Sequence, residues 1–368
     1  MDKLNVGIIG CGGIANQKHL PALAKQKDKV NLTAFCDIKK QRAIKAKKEY
    51  GDEQSTVYED YKELLKDKTI DVVHVLTPNV SHEPITVAAF KAGKHVMCEK
   101  PMAHDTASAK KMLDAWKTSG KKFTIGYQNR FRSDTQALHE ACRRGELGDI
   151  YYGKAHAVRR RAVPTWGVFP NKDLQGGGPL IDIGTHALDL TLWMMDNYEP
   201  SSVLGTTFHK MAEQSEGNLF GPWDPGTFEV EDSAMGMIKF SNGATVYLEA
   251  AWAINLVDSR EAATTLAGTK AGAEIKSGMS YKNDELHFNY AKNGLLMEEQ
   301  NSSGGAIAYF EGQKKGPGDL ECEQWLDAIL DDKEPLVKPE EAFMVTKILD
   351  AIYRSAAQNK EITFGSDH

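Results

Sequence analysis

Asp182 and His186 stand four residues apart. A helix beginning near Asp182 therefore projects both side chains from one face, one turn apart, and Asp189 follows on the same face. An imidazole in that place can accept and return a proton near neutral pH, because its unperturbed pKa is about 6.5. On the residues alone two plainer roles stay open. Asp182 also suits an N-cap, where its oxygen accepts a backbone N–H, and His186 also suits a polar core position beside the preceding glycines. An Asp/His pair at this spacing can begin a metal site too, but no further ligand is indicated and no metal is expected. Lys100 lies between Glu99 and Pro101 at the end of an apolar run. A lone lysine is more often solvated than chemical, and a Lys-Pro bond is among the few where the cis form costs little.

A second group of residues suits phosphate. Gly10-Cys11-Gly12-Gly13-Ile14-Ala15 has GxGxxA spacing directly after an apolar run. Gly10 permits the tight turn, Gly12 lets the backbone approach a pyrophosphate, and Ala15 is small enough for helix and strand to pack. The next helix offers its unpaired amides to the phosphates. Two glycines at a strand-to-helix turn are common in α/β proteins, so the pattern gains weight from Asp37, which ends the second strand where an acid meets the adenosine ribose hydroxyls. A carboxylate there repels a 2′-phosphate and favours NAD, while Lys39, Lys40 and Arg42 keep NADP possible. The cofactor is expected along Gly10, Gly12, Gly13, Ile14 and Ala15 and against Asp37 and Ile38.

These residues need elements to hold them. From the start to about residue 126, short β-branched runs (Asn5 to Ile9, Leu32 to Cys36, Val72 to Leu76, His95 to Cys98, Phe123 to Ile125) alternate with amphipathic segments, the pattern of βαβ units around a buried parallel sheet. Every strand then ends at one edge, where ligands bind in doubly wound folds. Beyond residue 126 come a helical piece (Thr135 to Arg144), a strand (Tyr151 to Val158), a Gly/Pro/Trp loop and a helix (Thr185 to Met195). Strands follow around Val203 to Phe208, Asp232 to Phe240, Thr245 to Trp252 and Ala262 to Ala267, with a hairpin turn at Ser241 to Gly243. The fold class read from this is α/β, an N-terminal Rossmann doubly wound sheet with a C-terminal α+β domain on a mostly antiparallel open sheet. The expected division is 1–126, 127–338 and a final helix, 339–368, whose apolar stripe (Ala342, Val345, Ile348, Leu349, Ile352, Ala356) packs back on the first domain.

With 368 residues, 41% hydrophobic and 26% charged, the chain has the composition of two folded domains. A net charge of -6 supplies no basic field for nucleic acid. Five scattered cysteines without a CxxC pair suggest neither a disulfide framework nor a zinc site. Without a signal-like N-terminus or a run of about 18 apolar residues, no membrane partner is expected and the cytoplasm is the expected compartment.

The GxGxxA turn, "LTPNVSHEP", "CEKPMA" and "GGGPLIDIGTHALDL" occur in that order. With them the chain resembles the Gfo/Idh/MocA family of sugar and cyclitol oxidoreductases over essentially its whole length, the EKP tripeptide with DxxxH being the more specific part. The resemblance implies that Thr77, Pro78, Asn79 and His82 cover the nicotinamide-ribose half of the cofactor; a plainer role for His82 is to cap or solvate the next helix. It implies that Glu99 lies near that ribose, that Lys100 reaches substrate hydroxyl and nicotinamide, that His186 is the general base, and that Asp182 holds substrate and imidazole. Tyr127, Gln128, Asn129 and Arg130 leave the last Rossmann strand toward cofactor or substrate. Arg161, Trp166 and Phe169 precede the DxxxH helix, and Trp166 can stack on a sugar, close over the nicotinamide or fill a loop core. Gln128 and Trp166 thus join the cofactor set, and Tyr127, Arg161 and Trp166 the substrate set. The implied activity is hydride transfer between NAD(P) and a ring secondary hydroxyl of a sugar, glycoside or inositol, in a homodimer or homotetramer. A redox-assisted glycosidase and a non-catalytic nucleotide-sensing regulator remain alternatives.

Overall fold

The structure is a computed structural model that describes residues 3–281, 284–301 and 315–365. Its first sheet holds β1 (Leu4–Ile9), β2 (Val30–Cys36), β3 (Thr56–Tyr58), β4 (Val72–Val75), β5 (His95–Glu99) and β6 (Phe123–Gly126) in the order β3-β2-β1-β4-β5-β6. All of its pairings are parallel. Strands covered on both faces must be apolar throughout, which is why every residue of β4 and β6 is buried. The parallel direction has a functional consequence: Gly10, Asp37, Thr77, Lys100 and Tyr127 all follow the C-terminal ends of their strands, at one edge. The order reverses between β1 and β4, the switch point at which such sheets receive ligands.

The second sheet joins β7 (Ile150–Val158), β8 (Pro200–Phe208), β9 (Ser233–Phe240), β10 (Thr245–Ala251), β11 (Ala263–Gly268), β12 (Ala271–Lys276), β13 (Glu285–Lys292), β14 (Leu295–Gln300) and β15 (Ile362–Thr363) in the order β14-β13-β12-β11-β7-β10-β9-β8-β15. Only β7 and β10 run parallel among the pairings described. The helix Thr185–Met195 is buried along its whole length except Met195, and Thr191 Oγ1 is 2.8 Å from Thr264 Oγ1 of β11.

The chain divides differently from the expected boundaries. One compact unit is residues 1–128 with 315–343, the other 129–314 with 344–368. The helix Pro317–Leu330, expected in the second domain, belongs to the first: Cys322, Trp325 and Leu326 share a core with Leu20 and Leu23, and Lys29 pairs with Asp327 at 2.6 Å. The final helix, Pro339–Gln358, carries the apolar stripe read from sequence and begins in the first unit and continues in the second, where it packs on the second sheet. Ile352 fills the space over Gly205 and Gly236, Ser355 Oγ accepts the Gly205 N–H at 2.9 Å, and β15 pairs with β8. Periodicity shows that a face is buried; it does not name the partner. Among the described residues no helix is long and apolar enough to cross a membrane.

Candidate active site

Gly10 has φ +97°, and a Cβ there would lie 2.4 Å from the Leu76 carbonyl oxygen, so β1 can turn beside β4 only at glycine. A Cβ at Gly12 or Gly13 would meet nothing within 4 Å. The turn is thus open where a pyrophosphate would approach its amides, as a dinucleotide requires. Asn16, which the sequence reading passed over, braces the turn by donating from Nδ2 to the carbonyls of Cys11 and Gly12 at 3.0 and 2.6 Å. Asp37 is buried, with Oδ2 accepting the Cys11 N–H at 2.9 Å and Oδ1 the Lys39 N–H at 2.8 Å. Ile38 beside it is 89% exposed. Thr77 Oγ1 is buried without a hydrogen-bond partner, a polar atom left for a ligand hydroxyl or amide.

His82 and Glu99 are buried and held by neighbouring protein groups. The buried His82 imidazole lies 2.8 Å from the Pro101 carbonyl and 2.9 Å from that of Thr77; it holds the LTPN loop against the EKP turn, and burial lowers its pKa. The Lys100–Pro101 peptide is cis. Glu99 Oε1 is 2.5 Å from Lys18 Nζ and 2.7 Å from His19 Nε2, and Oε2 accepts the Lys100 N–H at 3.1 Å. Burial opposes Glu99's charge, but Lys18 and His19 outweigh it and hold the carboxyl well below its usual range. Lys18 also bridges to Glu321 at 2.9 Å and donates to Gln128 Oε1 at 3.3 Å. Gln128 is therefore tied to this cluster, and Tyr127 is fully buried.

In the second unit, Asp182 sits inside a wide helical turn, Leu180–Gly184, that runs directly into the helix Thr185–Met195. It is not an N-cap: its Oδ2 accepts the indole N–H of the fully buried Trp252 at 3.0 Å. His186 follows one turn on and is 8% exposed. Asp189 shares the helix but takes a fork from buried Arg130, at 2.9 and 2.6 Å, and the guanidinium lies over the Trp193 ring. Arg130 thus has a structural partner in Asp189. Arg161 likewise spans two loops, donating to the Gln214 carbonyl at 3.1 Å and Asn255 Oδ1 at 3.3 Å. Trp166 is 54% exposed, edge-on to Phe220 and Phe169. Trp252 and Lys18 were missed because each reaches its partner across many residues, with no local signal.

Comparison with known proteins agrees with this geometry. The profile of an oxidoreductase family with an NAD-binding Rossmann fold matches residues 4–127, and that of its C-terminal alpha/beta domain matches 139–364. The chain is 40% identical over 272 residues to the D-glucoside 3-dehydrogenase of Escherichia coli K12, covering 74% of this chain and 77% of that one. It is 31% identical over 278 residues to the levoglucosan dehydrogenase of Pseudarthrobacter phenanthrenivorans, covering 68% of each. A solved levoglucosan dehydrogenase with NADH and levoglucosan has the same fold, with a TM-score of 0.83 at 24% identity over 98% of this chain and 99% of that one. With both domain profiles matched in order around an open glycine turn and an aspartate at the end of β2, the chain belongs to the Gfo/Idh/MocA oxidoreductase family and is an NAD(P)-dependent dehydrogenase with an NAD-binding Rossmann domain.

Proposed function

We propose that the chain oxidises a ring secondary hydroxyl of a sugar, a glycoside (for example at C3) or an inositol, in a homo-oligomer. When bound, NAD supplies the acceptor for the hydride that leaves the carbinol carbon. His186 takes the hydroxyl proton, Lys100 hydrogen-bonds the oxygen as it gains carbonyl character, and Asp182 orients substrate and imidazole. The products are a ketone, NADH and one proton. One observation carries the reading: Asp182 is held by the Trp252 indole at 3.0 Å, at the head of a buried helix that sets His186 one turn on. That is the fixed side-chain placement a proton-transfer site needs. The relatives' names, D-glucoside 3-dehydrogenase, levoglucosan dehydrogenase and inositol 2-dehydrogenase, support the substrate class.

The test is NADH formation on a panel of glucosides, anhydrosugars and inositols, with Lys100→Ala and His186→Ala. Each variant is expected to lose about 10²- to 10⁴-fold in kcat while binding NAD nearly as before. Near-normal turnover in either one removes it from the chemistry. Aglycone release without net NADH would assign the redox-assisted glycosidase route instead.

A further inference from the structure

We infer that the last helix of the chain positions the catalytic turn: Tyr353, acting through Glu231, fixes the segment that carries Asp182 and His186. The inference rests on the role proposed for those two residues. Glu231, just ahead of β9, accepts the Gly178 N–H on Oε2 at 2.9 Å and the Leu180 N–H on Oε1 at 3.1 Å. The same Oε1 accepts the Tyr353 hydroxyl at 2.8 Å. Pro179 has no N–H, so Glu231 takes both amides that Gly178 to Leu180 can offer. These amides open a helical segment, where no intrahelical partner exists and a negative charge is favoured.

The glycines preceding the turn are shaped to these two partners. A Cβ at Gly177 would lie 2.1 Å from Tyr353 Oη, and one at Gly178 would lie 2.3 Å from the Glu231 carbonyl oxygen. Tyr353 itself is anchored, since its neighbours Ile352 and Ser355 seat the helix on β8 and β9. Burial and the Glu231 carboxylate raise the Tyr353 hydroxyl well above its ordinary pKa, so it keeps its proton and donates. The connection runs from a helix some 170 residues downstream into the turn at Asp182. Glu231 and Tyr353 are positioning residues; neither is placed against a reacting atom.

The experiment is steady-state kinetics of Y353F, E231Q, G177A and the G177A/Y353F pair, with H186A alongside and the thermal midpoint of each protein recorded. Y353F removes one hydroxyl and is expected to fold, to lower kcat about tenfold and to leave the KM for NAD unchanged. E231Q is expected to lower kcat about a hundredfold. In the pair, the loss should fall well short of the product of the single losses, because both changes break one contact. A folded Y353F and E231Q with wild-type kcat, beside an inactive H186A, overturns the inference and leaves the proposed function standing. An active H186A overturns the proposed function itself. Equal changes in kcat and in the KM for NAD would also overturn the inference, since the first unit would then be disturbed.

Discussion

Both oxygens of Asp37 are engaged by backbone, one by the Cys11 N–H and the other by the Lys39 N–H, so this carboxylate ties the glycine turn to the end of β2. A carboxylate oxygen has further lone pairs, which leaves room for ribose hydroxyls, while its charge repels a 2′-phosphate. Lys40 is committed to Glu59 at 2.7 Å, but Lys39 and Arg42 are exposed and available to a phosphate once the repulsion is gone. Asp37→Ala should therefore raise the KM for NAD by about tenfold or more and narrow the preference over NADP. Initial rates with both cofactors measure this, and an unchanged NAD/NADP ratio would reject the reading. The residues legible in the sequence were those whose motif is local: the glycine turn, Asp37, the EKP turn and DxxxH. Trp252, Glu231 and Tyr353 were not, because their partners lie far away in sequence and an acid in "FEVED" reads as solvated.

Among elements, the one with the least expected position is the helix Pro317–Leu330, which brings Glu321 to Lys18. Lys18 then lies between two buried carboxylates. Glu99 keeps its charge; Glu321 is pushed by burial, against Lys18's opposition, up to about 7, and its Oε1 is buried without a partner. A folded pKa above the unfolded one means that the native state binds the extra proton. The stability it brings is complete below about pH 4.5 and is lost as pH rises through about 7, by an amount on the order of 3 kcal/mol. Glu321→Gln keeps the shape of the protonated acid, so its thermal midpoint should match wild type near pH 5 and exceed it by several degrees near pH 8. A variant less stable than wild type at pH 8 would instead make Glu321 a favourable ion-pair partner. The buried parallel strands were legible because apolar runs between turns identify them. β3 is only Thr56–Tyr58, too short to show a period, and β14, an apolar triplet followed by Glu-Glu-Gln, is exposed at every position, so neither had the alternation that marks a half-buried strand. The final helix announced its stripe, yet its docking surface depends on two glycines on different strands, Gly205 and Gly236.

At the scale of the molecule, the described residues cover one face of the second sheet and leave the other open. Ile352 lies over Gly236, and Thr191 and Met195 lie over Gly153, so alternate residues turn outward. In register across three strands these are Leu204, Met237 and Tyr247, with Met235 beside them; Leu204, Met235 and Tyr247 are 48%, 39% and 42% exposed. An apolar face of a sheet left in water is costly and marks an interface. The charged residues bordering it are already paired, Glu249 with His156 at 2.8 Å and with Lys154 at 3.3 Å, so covering them would strand no lone charge. A second copy of the chain placing the same face here would satisfy the self-complementarity that a two-fold interface demands, and a stable one hides about 800 Å² on each side. Sedimentation or light scattering at micromolar concentration should therefore show a dimer or larger even-numbered assembly. Tyr247→Asp, alone or with Met237→Asp, should lower the mass by setting unpaired carboxylates in the centre of the contact, where each costs several kcal/mol. A wild-type monomer, or an unchanged mass in the double variant, would move the interface elsewhere.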